Sequence, residues 1–313
     1  MSIMVNENKI YDSIIIGSGP AGLTAAIYNA RADIKTIVIA GNQPGGQLTI
    51  TPMVDNYPGF PGGVGGFKLM MEMQTQVKNF GIEIKQGIVT KISNGFKVEL
   101  EGGEILEGKT VIVTTGAGVN WLNLPREKEL IGHGISSCAT CDGMFFRDKT
   151  VAVVGGGDTA CEDAAFLSKF TKKVYMIHRR DEFKASMAEQ KKVLENEKIE
   201  IIWNSEVKEL LGESKIESIK IFNNKTNVEK IMEVDGLFVA IGYSPATKFL
   251  EGLVELRETR QIVVGKDQRL TTMTSVGGIF AAGDCVNENH RQAIIAAGDG
   301  CRAALDAQKW LRD

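Results

Sequence analysis

Two cysteines separated by two residues, Cys138-Ala139-Thr140-Cys141, form the most reactive grouping in the chain. Three chemistries suit such a pair. As half of a zinc site it needs two further ligands. His133 is near, but there is no second Cys-x-x-Cys and the chain holds only 3 histidines. As a structural crosslink it sits oddly in a reducing compartment. As a redox dithiol it needs an electron source and a proton donor. Asp142, next in sequence, can be that acid where its surroundings raise its pKa. Cys161, Cys285 and Cys301 lack such company and read as small buried hydrophobes.

An electron source is written in two glycine turns. The first follows the β-branched run Tyr11 to Ile16 and reads Gly17-Ser18-Gly19-Pro20-Ala21-Gly22, before an Ala-rich helix to Arg31 and a strand Lys35 to Ala40. Gly17 permits the tight turn, Gly19 lets a pyrophosphate approach the backbone, and Gly22 permits close helix–strand packing. The helix start then offers free N–H groups and a positive dipole end. No Asp or Glu occurs from Ile34 to Val54, where the usual ribose-reading carboxylate falls, so the ribose is left to Ala40-Gly41-Asn42-Gln43. The second copy runs from Thr150 to Val154, through Gly155-Gly156-Gly157-Asp158-Thr159-Ala160, a helix to about Phe170 and a strand Lys173 to Ile177. It ends at His178-Arg179-Arg180. Two guanidinium groups at the ribose end can clamp a 2′-phosphate, which selects NADPH over NADH. His178 alone reads as a packing or hydrogen-bonding residue. Near the C-terminus the strand Gly278 to Asp284 feeds a helix from about Arg291-Gln292-Ala293 to Leu311. Asp284 there can accept from a ribityl or ribose hydroxyl, and the helix start can stabilise negative charge on a reduced ring.

These elements make an internal duplication of a nucleotide-binding βαβ unit, and the fold expected is α/β with two Rossmann-like dinucleotide-binding domains. Strand-like pieces at Ile82–Ile84, Lys97–Leu100 and Thr110–Thr114 end at Thr115-Gly116-Ala117-Gly118. A strand-rich stretch from Ile199 to Phe222 leads to the run Gly236 to Gly242. The boundaries expected are 1–118 with 246–313 for a discontinuous first domain, and 119–245 for an inserted second domain carrying the Cys-x-x-Cys. Glycine at Gly116 and Gly242 suits two hinge crossings, and a rotation between domains is the motion expected there. The charged stretch Glu182–Glu200 reads as a solvated helix face.

Composition narrows the function further. The 313 residues carry a net charge of −3 and 7% aromatics, which argues against a nucleic-acid module. Thirty-five glycines exceed the usual share and cluster in turns, the mark of a backbone that approaches a ligand closely. The first nine residues have no apolar core or cleavage site, no run is long enough to span a bilayer, and the odd cysteine count is no secreted framework. A cytoplasmic protein with no membrane partner is the expectation.

Taken together the motifs resemble the low-molecular-weight thioredoxin reductases, over essentially the whole chain. Cys138-Ala139-Thr140-Cys141-Asp142-Gly143 is similar to the family's active-site signature. Gly45-Gly46-Gln47, Asn56-Tyr57-Pro58-Gly59-Phe60, His178-Arg179-Arg180-Asp181, Ala281-Ala282-Gly283-Asp284 and Arg291-Gln292-Ala293 follow its other segments. The resemblance implies FAD in the first site, NADPH in the second, thioredoxin as acceptor and a homodimer. It implies a Cys138–Cys141 redox disulfide in which Cys141 faces the flavin, Cys138 attacks the partner and Asp142 supplies the proton. It adds Gly46, Gln47 and Asn56 to the flavin residues, beside Gly116 at the strand end. Lys184 stands where the family usually has a third Arg, His290 where an aromatic is usual, and Cys285 where an apolar residue is common. A related disulfide reductase with another donor or acceptor, or a non-catalytic redox-responsive flavoprotein, would show the same turns and differ only in turnover.

Overall fold

The structure is a computed structural model that describes residues 10–51, 53–93, 95–287 and 290–313. The first nine residues, expected to lack a targeting signal, lie outside the described residues. The chain divides into two compact units, 1–118 with 244–313, and 119–243.

The first unit begins with β1 (Ile10–Ile16), α1 (Pro20–Arg31) and β2 (Thr36–Ile39). Gly19 caps α1 in extended backbone and Pro20 opens it, where a missing N–H costs nothing. Then come α2 (Gly66–Asn79), β3 (Glu83–Lys85), β4 (Val89–Ser93), β5 (Lys97–Leu100) and β6 (Ile105–Val113). β1 lies between β2 and β6, all parallel, with Ile14 opposite both Ile37 and Val111. Such strands are covered on both faces, which is why Ile14, Ile15, Ile37, Val38, Val111 and Ile112 are all buried. β4 and β5 extend the sheet antiparallel from the first half of β6.

The second unit follows β7 (Ala117–Val119) and contains α3 (Glu127–Leu130), β8 (Ile135–Ser136) and α4 (Ala139–Asp142). Its duplicated motif is β9 (Thr150–Val154), α5 (Asp158–Leu167) and β10 (Lys173–Ile177), followed by α6 (Met187–Leu194) and β11 (Ile199–Ile202). β12 (Ser205–Leu211), β13 (Ser218–Asn223) and β14 (Val228–Glu233) form a three-stranded antiparallel sheet, and β15 (Gly236–Val239) returns beside β9. The parallel sheet has the order β11-β10-β9-β15-β8. This is the α/β architecture expected, built twice.

The chain re-enters the first unit through β16 (Tyr243–Pro245), then forms β17 (Ile279–Ala281), parallel to the end of β6, and α7 (Ala293–Trp310), which packs along α1. Two expectations need correction. The stretch Glu182–Glu200 is helical only over α6, because the preceding residues are fastened as a loop to the glycine turn. Cys301 on α7 is only half-buried and faces the Tyr28 hydroxyl, because it lies at the edge of the α1–α7 contact. Cys161 and Cys285 are buried as expected, and burial pushes their thiols up to about 12 and about 11. No helix among the described residues is long and apolar enough to cross a membrane.

Candidate active site

Cys138 and Cys141 are joined, with S–S 2.09 Å and Cα–Cα 5.3 Å. The short edge strand β8 delivers Cys138 to the start of α4, so one helical turn brings Cys141 back beside it. The N–H groups of Cys141 and Asp142 both bond the Cys138 carbonyl, at 3.3 and 3.1 Å. Ser136 ties the pair to the acid: its Oγ accepts from the Cys138 N–H at 3.0 Å and donates to Asp142 Oδ2 at 2.5 Å. The Tyr243 hydroxyl donates to the Ser137 carbonyl at 2.8 Å. Behind the disulfide, Gly143 sits against Leu167 and Phe170, and Phe146 meets Phe238 edge-on with centroids 5.3 Å apart. Both sulfur-bearing residues stay part-exposed, and Met144 and Phe145 beside them are 49% and 52% exposed.

The first unit contains a cavity of about 440 Å³ at the first glycine turn. It is lined by Gly17, Gly19, Pro20 and Ala21 of the turn, by Gly41, Asn42, Gly46 and Gln47 after β2, and by Gly116, Asp284, Arg291, Gln292 and Ala293. A side chain at Gly22 would meet the Gly17 carbonyl oxygen at 2.0 Å, whereas one at Gly19, Gly41 or Gly116 would meet nothing within 4 Å. Gly22 therefore sits outside the cavity, packing helix on strand, while the other three present bare backbone to it. Ser18 fixes the turn, accepting from the Gly45 N–H and donating to the Ala40 carbonyl at 3.0 and 3.1 Å. Asn56 is exposed and does not line the cavity, but its amide donates to Gln292 Oε1, a lining residue, at 3.2 Å. Burial pushes Asp284 up to about 6; Arg291 opposes the rise and Asp299 adds to it. Thr114 and Thr115, at the strand end read from the sequence, also line the cavity; Gly87, Ile88, Val89, Ala246 and Phe249 join them and carried no signal, since they come from segments far apart in the chain. Open backbone at a helix start, a mostly apolar lining and one half-buried acid fit a dinucleotide with a flat ring.

The second glycine turn repeats the first in backbone form. Gly157 caps α5 in extended conformation and a side chain there would meet nothing within 4 Å. Asp158 and Thr159 open the helix. Asp158 is committed to the loop beyond β10: its Oδ1 accepts from the Ser186 N–H at 2.8 Å, and that bond holds its carboxyl below the usual range. Gly155 leaves room for Ala160, since a side chain on it would meet the Ala160 methyl at 2.6 Å. His178 is buried against Gly156 and beside Phe183 and Trp203, and its Nε2 lies 3.0 Å from the Glu182 carbonyl. Burial, with the charges of Arg180 and Arg179 adding, lowers its pKa, so it packs as a neutral ring. Arg179 and Arg180 are exposed, and neither guanidinium pairs with a carboxylate among the described residues.

Residues 11–300 match the model of the pyridine nucleotide-disulphide oxidoreductase family. A thioredoxin reductase of Mycolicibacterium smegmatis is 44% identical over 312 residues, covering 99% of each chain. A bifunctional thioredoxin reductase/thioredoxin of Mycobacterium leprae is 42% identical over 310 residues, 98% of this chain and 67% of that one. Among solved structures, a thioredoxin reductase from Giardia duodenalis superposes with a TM-score of 0.92 at 40% identity, over 97% of this chain and all of that one. Membership implies a flavin and a pyridine nucleotide as redox groups. With its two glycine turns and a joined Cys-x-x-Cys between them in sequence, the chain belongs to the pyridine nucleotide-disulphide oxidoreductases, among the thioredoxin reductases.

Proposed function

We propose that the protein is an NADPH-dependent thioredoxin-disulfide reductase that holds FAD in the first-unit cavity and NADPH at the second glycine turn, acting in the cytoplasm as a homodimer. The observation that carries this reading is the part-exposed Cys138–Cys141 disulfide, with Asp142 hydrogen-bonded through Ser136 and an apolar Met144-Phe145 pair beside it. An exposed apolar pair next to a reactive sulfur suits a protein acceptor, which needs a dry contact around the exchanging bond. FAD, when bound, supplies the electron pair that NADPH delivers as hydride. Two electrons cleave the Cys138–Cys141 bond, and two protons must reach the acceptor before it leaves as a dithiol: one comes with the hydride, and the other is assigned to Asp142, next in sequence to Cys141. The Cys138 thiolate then attacks the acceptor's disulfide, one acceptor sulfur leaves, and Cys141 displaces the second from the mixed disulfide. The acceptor is released as a dithiol and the Cys138–Cys141 bond is restored. Arg179 and Arg180 hold the 2′-phosphate. The test is anaerobic addition of NADPH to the purified protein, followed by visible absorbance with and without thioredoxin. Bleaching of a flavin band that thioredoxin reverses is expected; a colourless protein, or one that thioredoxin leaves bleached, would overturn the reading.

A further inference from the structure

The loop that carries Arg179 and Arg180 also carries an acid, Asp181, where a doubly charged phosphate is to bind. A carboxylate at that place repels the ligand unless something cancels it. The cancelling group comes from the turn between β13 and β14. That turn is built by Asn223, whose Oδ1 accepts from the N–H groups of Lys225 and Thr226 at 3.1 and 3.0 Å, and by Asn227 in left-handed backbone at φ 57°. With the turn so fixed, two neighbouring residues reach the basic loop in register. Asn224 Nδ2 donates to the Arg179 carbonyl at 2.8 Å, and the Lys225 ammonium pairs with Asp181. The loop is held on its other sides as well. The Asn204 N–H bonds the Arg180 carbonyl at 3.0 Å, the Lys184 N–H bonds the Gly156 carbonyl at 2.8 Å, and Asp158 takes the Ser186 N–H. The Lys225 pairing and the Lys225 charge together hold Asp181 below the usual carboxylate range.

We infer that Lys225 is a specificity-determining residue of the nucleotide site: by occupying Asp181 it leaves Arg179 and Arg180 to read a 2′-phosphate, and Asn224 positions the Arg179 backbone for that task. The inference rests on the reading of Arg179 and Arg180 given above and adds a cation from a different sheet, beyond Lys184 on the loop itself. Exposed ion pairs add little to stability, so the role sought here is electrostatic steering of the ligand. Such a role weakens as salt rises.

The test is calorimetric binding of 2′,5′-ADP and of 5′-ADP to the full-length protein at low and at high salt. Lys225→Gln should weaken 2′,5′-ADP about three- to tenfold at low salt, less at high salt, and leave 5′-ADP unchanged. Asp181→Asn combined with Lys225→Gln should return 2′,5′-ADP affinity to near the parent value, since nothing then needs cancelling. No change in Lys225→Gln overturns the inference. So does equal weakening in the single and double variants, because Lys225 would then be touching the phosphate itself. The underlying reading fails separately: Arg179→Ala with Arg180→Ala would bind both nucleotides in the parent's ratio.

Discussion

The two glycine turns share a backbone and differ in what surrounds it. Gly19 and Gly157 cap their helices in the same extended form, and each leaves space where a side chain would be. At the first turn the third small residue is Gly22, where any side chain would start 2.0 Å from the Gly17 carbonyl oxygen; at the second it is Ala160, whose methyl fits. The first turn is followed by uncharged Ala40-Gly41-Asn42 and a deep cavity with the half-buried acid Asp284. The second is followed by two exposed guanidiniums on a loop fastened from several sides. A deep cavity lined from many segments suits a group that stays, and exposed charge suits one that comes and goes. One supersecondary unit thus serves two occupants, and the difference lies in residues outside the glycines.

The sharpest way to break that division of labour is at the sulfurs. Cys138→Ser and Cys141→Ser should each abolish thioredoxin reduction, because exchange needs both sulfurs, while NADPH still bleaches the flavin in stopped-flow absorbance. Turnover near the parent rate in either variant would place the exchanging dithiol elsewhere. Next in size is Gly22→Ala. Its methyl meets backbone that cannot swing aside, so about 1–3 kcal/mol of strain is expected. The variant should purify with depleted flavin and a lowered Tm, whereas Gly157→Ala, which meets nothing, should keep the parent's Tm and flavin content. Equal Tm losses in the two would mean that the turns are packed alike.

A third measurement concerns charge. Arg179→Ala with Arg180→Ala removes two charge-assisted contacts worth about 1.5–3 kcal/mol each. The KM for NADPH should rise about two to four orders of magnitude where the two losses add, with NADH nearly unaffected. Equal losses for both nucleotides would show that these residues hold the loop and do not read the phosphate.

Much of this was legible in the sequence because close approach leaves few choices of residue. Gly17, Gly22 and Gly155 are glycines for steric reasons that survive without a structure, and the β-branched runs of β1 and β9 and the apolar run of β15 announce strands buried on both faces. What escaped was contact between distant segments. The cavity walls at Gly87–Val89 and at Ala246 and Phe249 converge only when the sheet is assembled. α2 escaped although Leu69, Met70, Met73 and Val77 share one buried face, because the exposed Phe67 and Met71 on the other side blur that stripe in the sequence. β14 exposes all but Met232 and shows no alternation of its own. Asp181 and Lys225, paired in space, lie 44 residues apart, and each looks like an ordinary surface charge.

The smallest effect expected tests the helices themselves. Eight positions after its first glycine, the first unit buries Ala25 at 0% exposure, while the second places Asp163 at the matching position of α5. Burial, with the Glu162 charge adding, pushes Asp163 up to about 7. A carboxyl raised in the folded protein above its unfolded value of about 3.9 favours folding only while protonated. Its contribution is therefore complete below pH ~4 and is lost as pH rises through about 7. Asp163→Asn removes that dependence. The variant should be more stable than the parent above pH ~7, by about 1–3 kcal/mol, and the gain should shrink to nothing as pH falls toward ~4. Denaturant unfolding of both proteins across that range reads the difference directly. A gain that stayed constant with pH would mean that the amide improves packing and that Asp163 does not titrate there. A loss at high pH would mean that the ionised carboxylate is held by a partner, and that α5, unlike α1, uses a charge at this position.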